Sequence, residues 1–476
     1  MTYTRRHLLA ATGGVVLLGF EWAGAGGPLK AGAMSQNKRI APEDFGAVGN
    51  GYADDTAALN SAFAEGKPVQ LQPGIYLRDG SAITSLITLA LSGPSMIKSE
   101  TNNTSGLELR PSSAPMDGVL IENVNFTHPK SPEFASGTMD NWAALKLVGQ
   151  KNAVIRNVGV AGDVGLSIGY GARGFGDRQC YNVTALDIHS MSPLTGMGIE
   201  IFGVITGDFS GHFEGGDGSG GRARMHGLRY TGYEFAVNRN VRSKIHAMRM
   251  ANGVSFQQYT TATENIIVAV DCTNAVQIHG IAERKNSTSV SRFNRTSIFA
   301  ECCDYTIYDG GGNDNVYEID STDCDFGVYA RGNSELGRRN AFRGSIRNFA
   351  GRGFYSNQAD AHLDLTLEGR STTDTDFGVL LSSGAEGTRG MVRVSRCAVG
   401  VRINCNNVKL TITAVECDTG VIIAGNSNDI DVRTDCGVVI SGANNIIKGQ
   451  ATGAIRNMGS NNNIVGLNAI APVFRS

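Results

Sequence analysis

The chain has 476 residues, a formal net charge of −2, and 62 glycines against 11 prolines. With near-neutral charge and no basic block, it lacks the electrostatic footprint of a nucleic-acid binder. The glycine excess suits a fold with many tight corners, and nine cysteines, an odd number, do not suit a closed disulfide framework.

The first element is an export signal over residues 1–33. Arg5-Arg6 precedes an apolar run that ends near Phe20, and Ala23-Gly24-Ala25 or Ala31-Gly32-Ala33 offers a small-residue cleavage site. This is the pattern of a twin-arginine signal peptide. It predicts a periplasmic or extracellular bacterial protein with no membrane association once the signal is removed. The route carries folded proteins, so buried thiols can be packed before export.

Residues 34–110 are expected to form an N-terminal cap and residues 111–476 the main body. Residues 41–77 read APEDFGAVGNGYADDTAALNSAFAEGKPVQLQPGIYL. Asp54 or Asp55 is placed to cap a helix from Thr56 to Glu65 with an apolar face. Gly46, Gly49 and Gly51 read as turn positions. In its DFGA, GNG, DDTAAL and PGIY elements the segment resembles the N-terminal module of the pectate-lyase superfamily, which includes polygalacturonase-like hydrolases, lyases and phage tailspikes. That resemblance implies an all-β fold, a right-handed single-stranded parallel β-helix with a short N-terminal capping helix.

The body repeats. Cys272, Cys303, Cys324, Cys397, Cys417 and Cys436 are each followed four positions later by Val or Ile, at intervals of 31, 21, 20 and 19 residues where they are consecutive coils. Ala350 and Thr375 hold the same phase in the gap. Periods of this size belong to solenoids. Short segments such as Gly198-Ile-Glu-Ile, Gly253-Val-Ser-Phe and Gly420-Val-Ile-Ile start each turn with period-two alternation, the signature of strands. Later coils carry Asn407, Asn428, Asn445 and Asn463 before an apolar strand, either as a stacked amide ladder or as turn residues.

Aligning coils on the inward apolar residue gives two outward columns. One is Glu200, Arg229, Ser255, Gln277, Tyr308, Tyr329 and Tyr355; the other is Phe202, Thr231, Gln257, His279, Arg331 and Asn357. Side chains of these types about 4.8 Å apart suit an extended sugar chain. Tyr230, Gln257, Gln277, His279, Tyr308, Tyr329, Arg331 and Tyr355 are the candidate substrate-binding residues. Each could equally be an ordinary solvated residue of an exposed sheet.

The longest departures from the coil, Tyr170–Met197 and Phe202–Met225, read as loops beside Glu200. Glycoside hydrolysis needs two carboxyl groups, and Glu200, Asp208, Glu214 and Asp217 are the candidates. His226 and Arg229 complete the candidate catalytic set, with Tyr230 and His279 as further bases for an eliminative route. His226-Gly227 and His279-Gly280 are only fragments of the polygalacturonase pattern, and no calcium cluster of pectate-lyase type is visible. Neither a metal nor a cofactor is expected. The resulting expectation is an endo-acting glycoside hydrolase cutting an acidic bacterial polysaccharide. A polysaccharide lyase, or a non-catalytic polysaccharide-binding surface protein using the same groove, is the alternative. A homotrimer is an open arrangement for such a chain.

Overall fold

The computed structural model describes residues 39–79, 83, 89–101, 105–111, 116–129, 143–169, 179–216, 222, 225–232, 237–257, 259–279, 291–332, 336–467 and 474–475. The expected signal peptide, residues 1–33, lies outside them. The cap begins with a short 3-10 turn and the helix α1, Thr56–Ala64, which buries Ala58, Leu59, Ala62 and Phe63. The two adjacent aspartates divide the work. Asp54 Oδ1 accepts the Thr56 N–H at 2.9 Å, and its bonds to Thr56 hold its carboxyl below the usual range. Asp55, which is buried, instead accepts the N–H groups of Val48 at 2.7 Å and Gly49 at 3.2 Å. Gly46, Gly49 and Gly51 take the left-handed angles (φ 93, 62 and 79) that glycine supplies.

From there the chain winds as a parallel β-helix, right-handed as parallel crossovers are. Every recorded strand pairing is parallel, each strand pairing with its counterparts a coil away. Among the described residues sheet B has 16 strands, from Leu107–Leu109 to Phe474–Arg475, and sheet A has 22. The apolar core lies inside the coil. Its best-ordered row is Ile199, Leu228, Val254, Val276, Ile307, Val328, Phe354, Val379, Val401 and Val421, successive register partners in sheet B, all buried. One position earlier runs a row of small residues. A Cβ on Gly198 would sit 2.6 Å from the Gly227 carbonyl oxygen, and one on Gly400 would sit 2.5 Å from that of Gly420, so at these positions glycine lets the next coil approach, while Ala275 and Thr306 hold the same phase elsewhere.

The cysteine ladder forms at a corner. Asp271, Cys302, Asp323, Arg396 and Glu416 hold left-handed backbone angles, and the next residue turns inward as Cys272, Cys303, Cys324, Cys397 or Cys417. Cys417 is half-buried and Cys436 buried, whereas Cys302 at the corner is exposed. Cys272, Cys303, Cys324, Cys397 and Cys417 donate their thiols to the carbonyl two residues earlier at 3.3–3.5 Å. Thr375 is buried in this row, but Phe349, not Ala350, fills the slot before it. The left-handed corner there is Asn348, and the coil carries an extra residue.

An asparagine ladder is also present, one residue out of the expected phase at both ends. Asn428, Asn445 and Asn462 accept the backbone N–H of Val408, Asn428 and Asn445 at 2.8–2.9 Å. Asn407 is the left-handed corner residue, and Asn463 begins the next strand. A second ladder joins Asn294, Asn315 and Asn340: Asn315 accepts the N–H of Asn294 at 3.1 Å, and Asn340 that of Asn315 at 2.9 Å.

Candidate functional site

The expected column is a true register line on the outer face of sheet B. Glu200, Arg229, Ser255, Gln277, Tyr308, Tyr329 and Tyr355 are successive partners. It continues past Glu200 to Ser167 and Lys146. Three residues earlier in each strand runs a parallel line of His226, Asn252, Asn274, Tyr305 and Phe326. The face divides into two environments along its length.

The Glu200 end is covered, contrary to the expectation of a solvent-facing column. Glu200 is 0% exposed and Arg229 4%, and Lys146, Ser167, Ser255 and His226 are buried with them. The nearest approach of Arg229 to Glu200 is 3.4 Å, from Nη1 to Oε1, and among the described residues no donor stands in hydrogen-bond geometry to either Glu200 oxygen. Burial pushes the carboxyl up to about 7, against the opposing attraction of Arg229 and Lys146. Arg229 Nη2 donates to Gln257 Oε1 at 2.9 Å, and Thr231 donates to the same oxygen at 3.3 Å. Asn252 Nδ2 donates to His226 Nδ1 at 2.7 Å. Burial, then Arg229 and His279, hold His226 well below its ordinary value; burial and Arg229 lower His279. A carboxyl that holds its proton up to about pH 7, a guanidinium and two imidazoles biased toward the neutral form therefore meet here.

The other end is half-exposed and aromatic. Tyr308 stacks on Tyr329 with centroids 5.5 Å apart, Tyr329 on Tyr355 at 4.7 Å, and Tyr305 on Phe326 at 4.9 Å. The Arg331 guanidinium lies 5.8 Å from the Tyr329 ring centre, and that of Arg352 lies 5.8 Å from Tyr355. The stacking direction follows the coil axis, so both faces of Tyr329 meet other rings. Its edge and hydroxyl, not its face, are what a ligand would meet. Tyr308 ends the stack, its neighbour toward the covered end being Gln277.

Of the other expected site residues, Asp208, Glu214 and Tyr230 do not converge on Glu200. The stretches read as loops contain the sheet A strands Cys180–Ser190 and Val204–Glu214. Asp208 is engaged there by Arg242 in a two-pronged contact of 2.6 and 2.8 Å, and Glu214 pairs with Arg249. Asp217 lies outside the described residues. Tyr230 points inward: it is fully buried, donates to Asn265 at 2.7 Å and stacks on Phe256, so it belongs to the core. Sequence reasoning missed Tyr305, Phe326 and Arg352, whose signal was a large residue just before the small one that opens each segment. Among the described residues no group of three or more His, Cys, Asp or Glu side chains is placed to hold a metal ion.

No protein-family model and no curated sequence matches the chain. Among solved structures it is similar to the N-terminal fragment of bacteriophage phi29 gene product 12, at 11% identity over 90% of this chain and 91% of that one, with a TM-score of 0.46. It is also similar to PfbA, a surface adhesin of Streptococcus pneumoniae (12% identity, 92% and 96% covered, TM-score 0.40). A family 28 exopolygalacturonase of Yersinia enterocolitica shows 12% identity over 84% and 78%, with a TM-score of 0.36. At these values the fold rests on the strand register of the chain itself.

Proposed function

We propose that the protein is a carbohydrate-active β-helix, exported by its twin-arginine start, that holds an extended polysaccharide along the outer face of sheet B. The observation that carries this reading is the half-exposed aromatic field of Tyr305, Tyr308, Phe326, Tyr329 and Tyr355, edged by Arg331 and Arg352. Half-exposed aromatics of this density on regular strands present apolar ring edges rimmed by hydroxyl and guanidinium groups, a surface against which sugar rings can pack. Gln277, His279 and Gln257 carry polar groups from that field toward Glu200.

A second reading, hydrolysis of the bound chain, is favoured by Glu200. A glycosidase acid must keep its proton near neutral pH, and burial raises carboxyl groups into that range. In this reading Glu200 protonates the leaving oxygen, while Arg229 and His226 orient the sugar around it. Asp208 and Glu214 are engaged on sheet A, so neither is the second carboxylate. The reaction also requires the covered end of the face to open to substrate.

A panel of acidic and neutral polysaccharides would be tested for gel retardation of the protein, new reducing ends and the ultraviolet absorbance of unsaturated uronates. The proposal expects retardation by at least one glycan. Reducing ends without uronate absorbance would add hydrolysis, and both signals together would indicate elimination. If no glycan retards the protein, the proposal is overturned.

A further inference from the structure

On the outer face of sheet B, His226, Asn252 and Asn274 are register partners on three successive strands, all buried, and the next residue of their line is Tyr305, at the start of the aromatic field. Their polar ends form one chain. Asn274 Nδ2 donates to Asn252 Oδ1 at 2.7 Å, and Asn252 Nδ2 donates to His226 Nδ1 at 2.7 Å. An amide has one donating and one accepting end, so the two asparagines run in the same direction, and that direction ends on the imidazole. To accept from Asn252, Nδ1 must present a lone pair, and the neutral ring then carries its proton on Nε2. An imidazolium would set an Nδ1–H against the amide N–H. The bond therefore exists only with the uncharged ring, the form that burial also favours. Among the described residues the ring makes no other hydrogen bond, so its Nε2–H is not spent on them.

We propose that Asn252 and Asn274 are positioning residues of the glycan face, holding His226 as its Nε2–H tautomer so that it offers a bound sugar a hydrogen-bond donor and acts as no base. The donor role rests on the glycan reading above; the tautomer does not. A general base needs a lone pair within reach of the proton it removes. On His226 the one lone pair is on Nδ1 and is occupied by Asn252, so neither elimination nor activation of water runs through this ring. With Tyr230 in the core, the eliminative route loses two of its candidate bases and is left with His279 and Arg229. A neutral donor also suits the place: it meets a sugar oxygen without adding a second cation beside Arg229 in a buried setting.

The test reads the ring directly, by long-range proton–nitrogen correlation spectra of the full chain labelled at its eight histidines, with the His226 signals identified by their loss in His226→Leu. Near neutral pH the parent should show a protonated Nε2 and an unprotonated Nδ1. Asn252→Asp puts a carboxylate, which only accepts, in place of the donor, so Nδ1 should become protonated. Asn252→Ala, which serves if the aspartate variant does not fold, removes the donor and should give mixed tautomers. Asn274→Ala should do the same, by releasing the Asn252 amide to turn over. Asn252→Asp should also weaken binding of a glycan that retards the parent by about tenfold, the scale of one lost hydrogen bond. A protonated Nδ1 in the parent, or an unchanged ring in whichever Asn252 variant folds, would overturn the assignment. Unchanged glycan affinity alongside an inverted tautomer would overturn the donor role. If no glycan binds the parent, the glycan reading itself fails, and the ring spectra still decide the tautomer.

Discussion

At Glu200 the carboxyl group has no exposed surface, and its acidity responds first to burial and only then to Arg229 and Lys146. The sign of its effect on stability follows. Its folded-state value of about 7 lies above the 4.5 of the free group, so between those values the folded protein holds the proton more tightly than the unfolded chain. Stability contributed by the protonated form is present below pH 4.5 and is lost as pH rises through about 7. Glu200→Gln should therefore melt close to the parent at pH 5 and above it at pH 8, by up to ~3 kcal/mol. A difference that does not grow with pH would contradict the assigned protonation. The facing of Glu200 was legible in the alternation of its strand. Its burial was not, because period-two patterning says which side of a sheet a residue occupies and nothing about what packs over that side. Naming Tyr230 as a binding candidate ran against that alternation: standing between the outward Arg229 and Thr231 it falls on the inward side, where its hydroxyl finds a buried amide.

At the scale of the coil, the ladders are the devices that hold one turn on the next. Removing the Asn315 amide leaves the buried N–H of Asn294 without its acceptor, so Asn315→Ala should cost about 1–3 kcal/mol, measured by denaturant melts. Gly327→Ala should cost at least as much, since its Cβ would fall 2.1 Å from the Gly353 carbonyl oxygen and only movement of a coil relieves that. Ellman's reagent should find Cys302 rapidly in the native protein and the buried thiols only after unfolding. Rapid reaction of Cys303 would show that the corner assignment is wrong. Cysteine spacing and the glycine segments made the coil legible because both sit at corners that recur in every turn. The strands Cys180–Ser190 and Val204–Glu214 were hidden because left-handed residues interrupt them (Asn182 and Asp187 in one, Thr206 in the other). Each such residue shifts the in–out parity, so the strand shows no sustained alternation. The same kind of slip, one extra residue, moved the ladder slot from Ala350 to Phe349.

Over the described body, one core serves two sheets that face solvent with different chemistry. Sheet A carries the charge pairs Asp208–Arg242, Arg295–Glu318 and Arg347–Asp320, together with the histidine column of His189, His212 and His246. Sheet B carries the covered polar group around Glu200 and the aromatic field. The proposed glycan site belongs to sheet B alone, and this division supplies the most direct measurement: calorimetric titration of a glycan that retards the protein into the parent, Tyr308→Ala and Tyr181→Ala. Tyr181 is an exposed tyrosine on sheet A and serves as the control. The account predicts that Tyr308→Ala weakens binding by about 1 kcal/mol or more, the scale of a lost aromatic contact, while Tyr181→Ala leaves it unchanged. Equal affinity for the parent and Tyr308→Ala, or a loss confined to Tyr181→Ala, would contradict a glycan site on the outer face of sheet B.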